Sequence, residues 1–347
     1  MAMRHALTTL ALAAGLTTAA APTSHLTPTP CPVPVPPTAT NVRCGLVDVP
    51  LRYDSAATAK NKLAVAVIAS KKPTRTPLMI LGGGPGEKLI ASLPALAALP
   101  ADDPLVAGRD VILVDQRGVG FSKPALECPE VVGPLVDLTA LPEQQAARTS
   151  AGVTACARRL SHDRVDFSAY DTLNNARDLG QVVAALGYPK VDLFGGSYGA
   201  LLALQAERGN PDWIAHVAVA SLTPAERNFF LDIGRSFQGS LDALRAACRA
   251  DMMCASSYGD IATKLNRVVE KYAKSPKLMT IVDRATERSV RAMVSGELIA
   301  SRLLSLLYFR SSLAYVPQLI DRFSNGDFSA LVAGAGGPPP TAEHVVR

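Results

Sequence analysis

The feature that most constrains the fold is a short strand that runs directly into a glycine turn and then into a helix. Val191–Phe194 is short and mostly apolar, and Ala200–Arg208 has the composition of a helix. Between them stands Gly195-Gly196-Ser197-Tyr198-Gly199, with glycine at three of five positions. A short apolar strand that leads straight into a helix is typical of a parallel sheet covered by helices. The motif therefore predicts a turn at the carboxyl end of a buried strand.

Further short apolar runs alternate with helical segments along the first two-thirds of the chain. The predicted strands are Leu46–Tyr53, Leu63–Ala69, Pro77–Leu81, Asp110–Val114, Val191–Phe194 and His216–Ala220. A helix predicted over Leu173–Leu186 ends at Gly187, where a helix stop belongs. This alternation predicts an α/β fold with a parallel sheet covered on both faces. We assign residues 44–222 to this core.

After residue 222 the pattern becomes almost entirely helical. Thr223-Pro224-Ala225-Glu226 has the form of a capping box with proline at the first helical position, so we predict a helix start there. The predicted helices are Phe229–Cys248, Asp260–Ala273, Gly296–Tyr308 and Ser312–Phe323, and the one predicted strand is Leu278–Val282. We assign residues 223–333 to a helical cap and residues 334–347 to a Gly/Pro-rich tail.

The N-terminus and the cysteines predict export. Residues 1–21 have a short basic start, an uncharged apolar stretch and an alanine-rich end, which is typical of a signal peptide. Residues 22–43 form a proline-rich leader, expected to be extended and poorly packed. Six cysteines remain once the signal peptide is removed, and we favour local disulfides among the fifteen possible pairings. The favoured pairs are Cys31–Cys44, Cys128–Cys156 and Cys248–Cys254, with buried free thiols as the alternative. The predicted location is secreted or periplasmic.

Composition excludes several classes of protein. The 347 residues are 48% hydrophobic and 19% charged, which excludes intrinsic disorder and allows a large core. A net charge of +5 with scattered Lys and Arg gives no support to nucleic-acid binding. The mean hydropathy is +0.18, yet no apolar run of about 18 residues occurs outside the N-terminus. We therefore predict no nucleic-acid partner and no membrane span once the signal is removed.

The glycine turn after Val191–Phe194 has the G-x-S-x-G form of a nucleophile elbow. Such a turn lifts the serine hydroxyl above the end of the sheet, and the following helix N-terminus favours negative charge there. Ser197 is therefore the predicted nucleophile. The alternative interpretation is a plain glycine-rich turn.

A second glycine loop, Gly82-Gly83-Gly84-Pro85-Gly86, directly follows the strand Pro77–Leu81. We predict that the backbone N–H groups of Gly84 and Tyr198 form an oxyanion hole for Ser197. The alternatives are a structural turn and a phosphate-binding loop, but the Lys-Ser/Thr of a Walker motif is absent. No dinucleotide fingerprint and no metal-ligand spacing occur, so neither cofactor nor metal is predicted.

Three motifs taken together resemble one family. The glycine loop is followed by Asp115-Gln116-Arg117-Gly118-Val119-Gly120-Phe121-Ser122 and then by the Ser197 turn. This combination resembles the prolyl iminopeptidase and tripeptidyl aminopeptidase group of α/β-hydrolases over roughly residues 44–340. Leu126-Glu127-Cys128-Pro129 and the stretch from Tyr170 to Leu179 fit its secreted branch. Gly82 stands where prolyl iminopeptidases usually have His, which weakens a prolyl-specific assignment.

The resemblance implies an α/β-hydrolase sheet with a helical cap that limits access, and a peptide substrate cleaved from its N-terminus through Ser197. It also implies that an Asp and then a His follow the cap, and neither is found in this chain. The histidines are His5, His25, His162, His216 and His344, each expected to be structural or solvated. We therefore expect the first two-thirds of such a hydrolase, with a sheet incomplete at its C-terminal side and a truncation point in residues 334–347.

Three functional hypotheses stay open. The first is a serine aminopeptidase that forms an acyl-enzyme on Ser197, and the second is a related esterase or lipase-like hydrolase. The third is a catalytically dead fragment or pseudoenzyme that at most binds peptides. Acids in the cap would favour a free amino terminus as ligand, and Glu226, Asp232 and Glu297 are the candidates. The oligomeric state does not follow from the sequence.

Overall fold

The computed structural model describes residues 25–333, apart from residues 38, 40, 56–58, 210, 223 and 285. Within these residues seven strands form one sheet in the order β1-β2-β3-β5-β4-β6-β7. The strands are β1 Thr27–Thr29, β2 Val42–Pro50, β3 Lys60–Ile68, β4 Leu78–Leu81, β5 Val111–Val114, β6 Val191–Gly196 and β7 Ile214–Ala220. The helices that accompany them are α1 Leu93–Ala97, α2 Pro129–Val136, α3 Pro142–His162, α4 Thr172–Leu186 and α5 Tyr198–Gly209. The predicted α/β class is confirmed. The predicted signal peptide and tail lie outside the described residues.

The sheet is mixed rather than wholly parallel, which corrects the expectation. Strands β4, β5, β6 and β7 pair in parallel, but β1, β2 and β3 pair antiparallel, as do β3 and β5. The segment from Pro50 to Lys60 is too short to carry a crossover helix, so β2 must turn back along its neighbour. The apolar composition of these strands marks burial and does not reveal direction.

The proline-rich leader contains a strand, against the expectation of poor packing. Thr27–Thr29 pairs with Cys44–Leu46, and the Cys31–Cys44 disulfide joins the two segments. Proline is tolerated because β1 lies at the edge of the sheet, where a missing N–H does not break a ladder. Gly45 permits the close approach, since a β-carbon there would lie 2.5 Å from the carbonyl oxygen of Thr27. The other two disulfides are Cys128–Cys156 and Cys248–Cys254.

Each face of the sheet carries its own apolar cluster, because successive residues of a strand point to opposite sides. In β5, Ile112 and Val114 pack with residues of α4 and α5. Val111 and Leu113 point the other way and pack with Leu93 at the start of α1. The strand is buried throughout, as its wholly apolar sequence predicted. Both faces are therefore covered at the centre of the sheet.

The region after β7 has a third cluster of its own. Its elements are α6 Phe229–Ala250, α7 Met252–Tyr258, α8 Ile261–Lys274, β8 Lys277–Asp283, β9 Arg288–Val294, α9 Gly296–Leu307 and α10 Val316–Ser324. Strands β8 and β9 form an antiparallel hairpin. Its second strand was missed, because two arginines obscure the alternation of Val290, Ala292 and Val294. No helix of the described residues is long and apolar enough to cross a bilayer.

Two helix starts can be compared with the predictions. Helix α6 begins at Phe229, as predicted for the segment Phe229–Cys248, and not at the proposed capping box, whose first residue, 223, lies outside the described residues. The Asn228 side chain accepts the N–H of Leu231 and caps the helix there. Helix α10 begins at Val316, after a 3₁₀ turn, rather than at Ser312. Proline is tolerated only in the first turn of a helix, and Pro317 therefore sets that start.

Candidate active site

Ser197 stands between β6 and α5, at the carboxyl end of the sheet. Its φ angle is 53°, a left-handed value that costs energy for any residue with a β-carbon. The flanking glycines are required by sterics. A β-carbon at Gly195 would lie 2.1 Å from the carbonyl oxygen of Gly199, and one at Gly199 would lie 2.2 Å from that of Leu81. The Ser197 N–H donates to the Ala220 carbonyl at 3.0 Å, and the residue is exposed.

The glycine loop after β4 lies against this turn. Leu81 pairs with Gly195, so the two loops leave the sheet side by side. Gly83 is the loop residue next to the serine, because a β-carbon there would lie 3.5 Å from the Ser197 Cβ. Gly84, with φ of 98°, folds instead against the backbone of Gly86. The two loops therefore meet at Ser197.

The Asp115–Ser122 motif holds the glycine loop in place. Gln116 is buried, and its Nε2 donates to the Gly82 carbonyl at 3.1 Å. The carboxylate of Asp115 accepts the N–H of Ile90 and that of Phe121, each at 2.9 Å. Burial raises the pKa of Asp115 above its usual range, although these N–H groups oppose the shift. The motif thus joins three neighbouring segments of backbone beneath the site.

Arg117, which belongs to the same motif, forms a buried ion pair with Asp178 of α4. Two guanidinium nitrogens of Arg117 donate to the Asp178 carboxylate at 2.8 and 2.6 Å. The guanidinium also donates to the Leu51 and Ala169 carbonyls, and the Tyr53 hydroxyl donates to Asp178. Burial raises the pKa of Asp178, and the pairing with Arg117 opposes that shift. The pair fixes helix α4 to the loop that follows β5.

The Tyr170–Leu179 stretch also positions the turn at Ser197. Asp171 caps α4 by accepting the N–H of Asn174 at 2.7 Å. The hydroxyls of Thr172 and Tyr198 are hydrogen-bonded at 3.1 Å, which ties the start of α4 to the residue after the serine. These residues act on the site through structure rather than through contact with Ser197.

The described histidines lie away from Ser197. His216 pairs with Asp192 at 2.8 Å and stands beside that residue in the register of β6 and β7, about 15 Å from the serine at ~3.3 Å per residue. His162 is exposed beside Asp163. His25 precedes β1, about five strand spacings from β6, or ~24 Å. His5 and His344 lie outside the described residues.

The acids proposed for the cap are not gathered at the serine. Asp232 is paired with Arg227 and Arg235, and Glu226 and Glu297 are exposed. The acid that does approach Ser197 is Glu87, whose Oε2 accepts the N–H of Gly83 at 2.6 Å. Sequence reasoning missed Glu87, although a carboxylate directly after a glycine loop was a visible signal.

One group of residues in the described structure has the composition of a metal site. Ligand atoms of Cys128, Glu130 and Cys156 lie within 4.8 Å of one another. The two sulfurs are joined in a disulfide and are therefore not available as thiolate ligands, and Glu130 is paired with Arg159. The group is a structural crosslink.

Comparison with known proteins identifies a family whose sequence profile matches this chain. The sequence profile described as "alpha/beta hydrolase fold" matches residues 76–277. "Carboxylesterase B" of Mycobacterium tuberculosis is 33% identical over 150 residues, which are 40% of this chain and 28% of that protein. "Putative hydrolase YuaR" of Escherichia coli is 25% identical over 307 residues, 82% of this chain and 56% of that protein. The chain thus spans between about a quarter and about half of these relatives.

Solved structures give a weaker likeness. A proline iminopeptidase-related protein from Thermus thermophilus shares 20% identity, covering 51% of this chain and 45% of its own, with a TM-score of 0.28. A structure described as a "putative epoxide hydrolase" from Pseudomonas aeruginosa shares 16% identity, covering 88% and 74%, with a TM-score of 0.32. Scores this low are not a basis for assigning a substrate.

Proposed function

The chain belongs to the α/β-hydrolase fold family, and on that premise we propose that it carries the nucleophile and oxyanion side of a serine hydrolase acting on carboxylic esters. The Ser197 Oγ attacks the acyl carbon, a new C–O bond forms, and the bond to the leaving alcohol breaks. The serine proton passes through a base to the alcohol. Water then releases the acid and restores the hydroxyl.

The observation that carries this proposal is the position of Ser197. It stands exposed at the end of β6, before α5, with φ of 53°, and a β-carbon at Gly195 or Gly199 on either side of it would clash with backbone. Strain of this kind costs about 1–3 kcal/mol and is common where geometry serves chemistry. A turn that only reversed the chain would have no need of it.

Stabilisation of the oxyanion is assigned to backbone N–H groups. Tyr198 is the first residue of α5, and its N–H is one of the four that have no partner within the helix. The second donor comes from the glycine loop, where Gly84 was the residue chosen from the sequence. Gly83 is better supported, because a β-carbon added to it would lie 3.5 Å from the Ser197 Cβ. Both assignments are part of the proposal.

The general base is not assigned to a described residue, because His25 and His216 lie far along the sheet from Ser197 and His162 is exposed beside Asp163. A serine without a base keeps only the acceleration of the oxyanion hole and of binding, roughly 10³–10⁴ over water. We therefore expect this chain to acylate slowly. For this reason the first assay uses a probe that reacts with the serine and does not depend on substrate turnover.

The test is labelling by a fluorophosphonate, in which the Ser197 Oγ displaces fluoride from phosphorus. We expect slow labelling that reaches one group per chain, mapped to the peptide that contains Ser197, and no labelling of Ser197→Ala. The matched control is Ser240→Ala, in an exposed serine of α6 that bonds only within its own helix. Labelling of Ser197→Ala at the parent rate would contradict the proposal, and so would a parent protein that stays unlabelled.

A second candidate, aminopeptidase activity, is supported by the combination of the glycine loop, the Asp115–Ser122 motif and the Ser197 turn. The two candidates differ in the bond that is cleaved. Release of nitrophenol from an acetate ester, with no release of nitroaniline from alanyl- or tripeptidyl-anilides, favours the esterase. The opposite result favours the peptidase.

We propose that the protein is exported. Three disulfides support this, since such bonds persist in oxidising compartments and are rare in the cytosol. The signal-like pattern of residues 1–21 supports it independently. N-terminal sequencing of the protein recovered from periplasm or medium tests it. Recovery in the cytosol with residues 1–21 intact would contradict it.

A further inference from the structure

The carboxylate of Glu87 occupies the N–H group of Gly83, the glycine-loop residue that lies beside the candidate nucleophile. Its Oε2 accepts the Gly83 N–H at 2.6 Å. A β-carbon placed on Gly83 would lie 3.5 Å from that oxygen and 3.5 Å from the Cβ of Ser197. The carboxylate and the serine are therefore both neighbours of one loop residue, within reach of the same small substrate.

A carboxylate oxygen is the chemical counterpart of the oxygen that an acyl group would place on this N–H. Hydrogen bonds to a charged acceptor are shorter and roughly twice as strong as those between neutral groups. A neutral carbonyl oxygen therefore competes poorly with Glu87 for the Gly83 N–H. In this arrangement the loop donor is covered, and it becomes available only when the carboxylate moves.

The negative charge of Glu87 also has no Lys or Arg partner within the described residues. Its sequence neighbour Lys88 pairs with Glu127 at 2.8 Å, and within the described residues no Lys or Arg nitrogen pairs with Glu87. The Glu87 side chain is exposed, so a ligand can reach it. A positive group brought in by a ligand would therefore be the first partner for this charge.

We propose that Glu87 is a specificity-determining residue, whose carboxylate holds the Gly83 N–H until a substrate with a positive charge beside its acyl group draws it away. The substrate class is acyl donors that carry an ammonium group, primary or quaternary. The inference rests on the proposed function, because it takes Ser197 as the attacking group. It implies that uncharged acyl donors meet a covered site and that anionic ones are repelled.

Boronic acids test this without a catalytic base. The Ser197 Oγ donates an electron pair to boron, the serine proton passes to water, and the resulting tetrahedral boronate anion presents a hydroxyl oxygen to the loop. Two probes of equal size separate charge from shape: meta-aminomethyl-phenylboronic acid, which is cationic, and meta-ethyl-phenylboronic acid, which is neutral. Affinities are measured by calorimetry for the full chain and its variants.

We expect the parent protein to bind the cationic probe roughly threefold to fivefold more tightly than the neutral one, as for an exposed ion pair. In Glu87→Gln this preference disappears. In Glu87→Ala the neutral probe binds about tenfold more tightly than in the parent, because a charge-assisted competitor is gone. The control is Glu207→Gln, which removes the charge of an exposed acid of α5 that does not bond to Gly83, and it should leave both affinities as in the parent.

A second measurement keeps the two proposals separate. Hydrogen exchange at the Gly83 amide, followed by NMR in protein labelled with nitrogen-15 glycine, reports the contact whether or not Ser197 reacts. We expect exchange at least tenfold faster in Glu87→Ala than in the parent. Equal exchange, or a neutral probe that gains nothing in Glu87→Ala, would overturn the role of Glu87. Probe affinities unchanged in Ser197→Ala would instead overturn the proposed function.

Discussion

The carboxyl edge of the main sheet and the predicted cap, the region from α6 to α10, differ in where most of their charged residues lie. Beneath Ser197 the charged residues Asp115, Arg117 and Asp178 are buried, and each is bonded to backbone or to another charge. In the cap, ion pairs such as Arg245–Asp260 are exposed, and the interior is largely apolar apart from the buried acid Asp283. Buried charges demand one geometry, whereas surface pairs tolerate many. This difference in burial indicates that the loops at the carboxyl edge of the sheet are held in one geometry.

The largest expected effect comes from breaking the buried pair. Arg117→Met leaves the Asp178 carboxylate buried without its partner, which should lower the free energy of unfolding by about 3–5 kcal/mol in urea denaturation. The double variant Arg117→Met/Asp178→Leu should recover most of that loss. Arg235→Met, at an exposed pair in the cap, is the control and should change little. Equal losses for Arg117→Met and Arg235→Met would erase the contrast between the two regions.

Removing apolar volume from the cap should lower the free energy of unfolding slightly less. The resulting increase in hydrogen exchange should be confined to the cap. Leu303 is fully buried in the cap cluster, and Leu303→Ala should destabilise by about 2–5 kcal/mol. Hydrogen exchange should rise in α8 and α9 while β4 and β6 stay protected, because the clusters are separate. Leu278→Ala, at a position 43% exposed, is the control. Joint opening of β6 and α8 would mean that the two regions unfold as one unit.

A smaller effect is expected at the link between the Asp115–Ser122 motif and the glycine loop. Gln116→Leu removes the donor to the buried Gly82 carbonyl and should cost about 1–3 kcal/mol. The fluorophosphonate rate should fall further than stability alone explains, since the loop beside Ser197 loosens. Gln116→Glu cannot donate to that carbonyl when ionised and should behave likewise. A normal labelling rate in a folded Gln116→Leu protein would confine Gln116 to a structural role.

The smallest effect is a pH dependence in the cap. Burial alone would raise the pKa of Asp327, but hydrogen bonds from Ser329 and Arg322 outweigh it and lower that pKa. The contribution to stability is therefore present above the unfolded pKa of about 3.9 and is lost as the pH falls through the lower folded value. Asp327→Asn should flatten the fall of Tm between neutral and acidic pH. Asp102→Asn, in an exposed loop, is the control, and an unchanged acid limb in Asp327→Asn would contradict the assignment.

What the sequence predicted well was set by local sterics. Gly195 and Gly199 clash with backbone if any side chain is added, so the turn at Ser197 could be inferred from five residues. Strand directions could not, because β2 and β3 are antiparallel for a reason that lies in the length of their connection. The position of the Glu87 carboxylate was also out of reach, since it depends on how a loop folds back on Gly83. Short motifs are enough to predict local conformation, but contacts between segments that are distant in the sequence cannot be inferred from them.

The left-handed backbone at Ser197 has a consequence for how this chain can change. Glycine would adopt that conformation without the strain of a β-carbon, so Ser197→Gly removes the hydroxyl and relieves a cost of about 1–3 kcal/mol. The position that we propose as the nucleophile is thus also one where loss of the hydroxyl would raise the free energy of unfolding. A directed-evolution experiment that selects for heat resistance alone would drift toward an inert protein at this residue, and one that selects for reactivity must find its stability elsewhere.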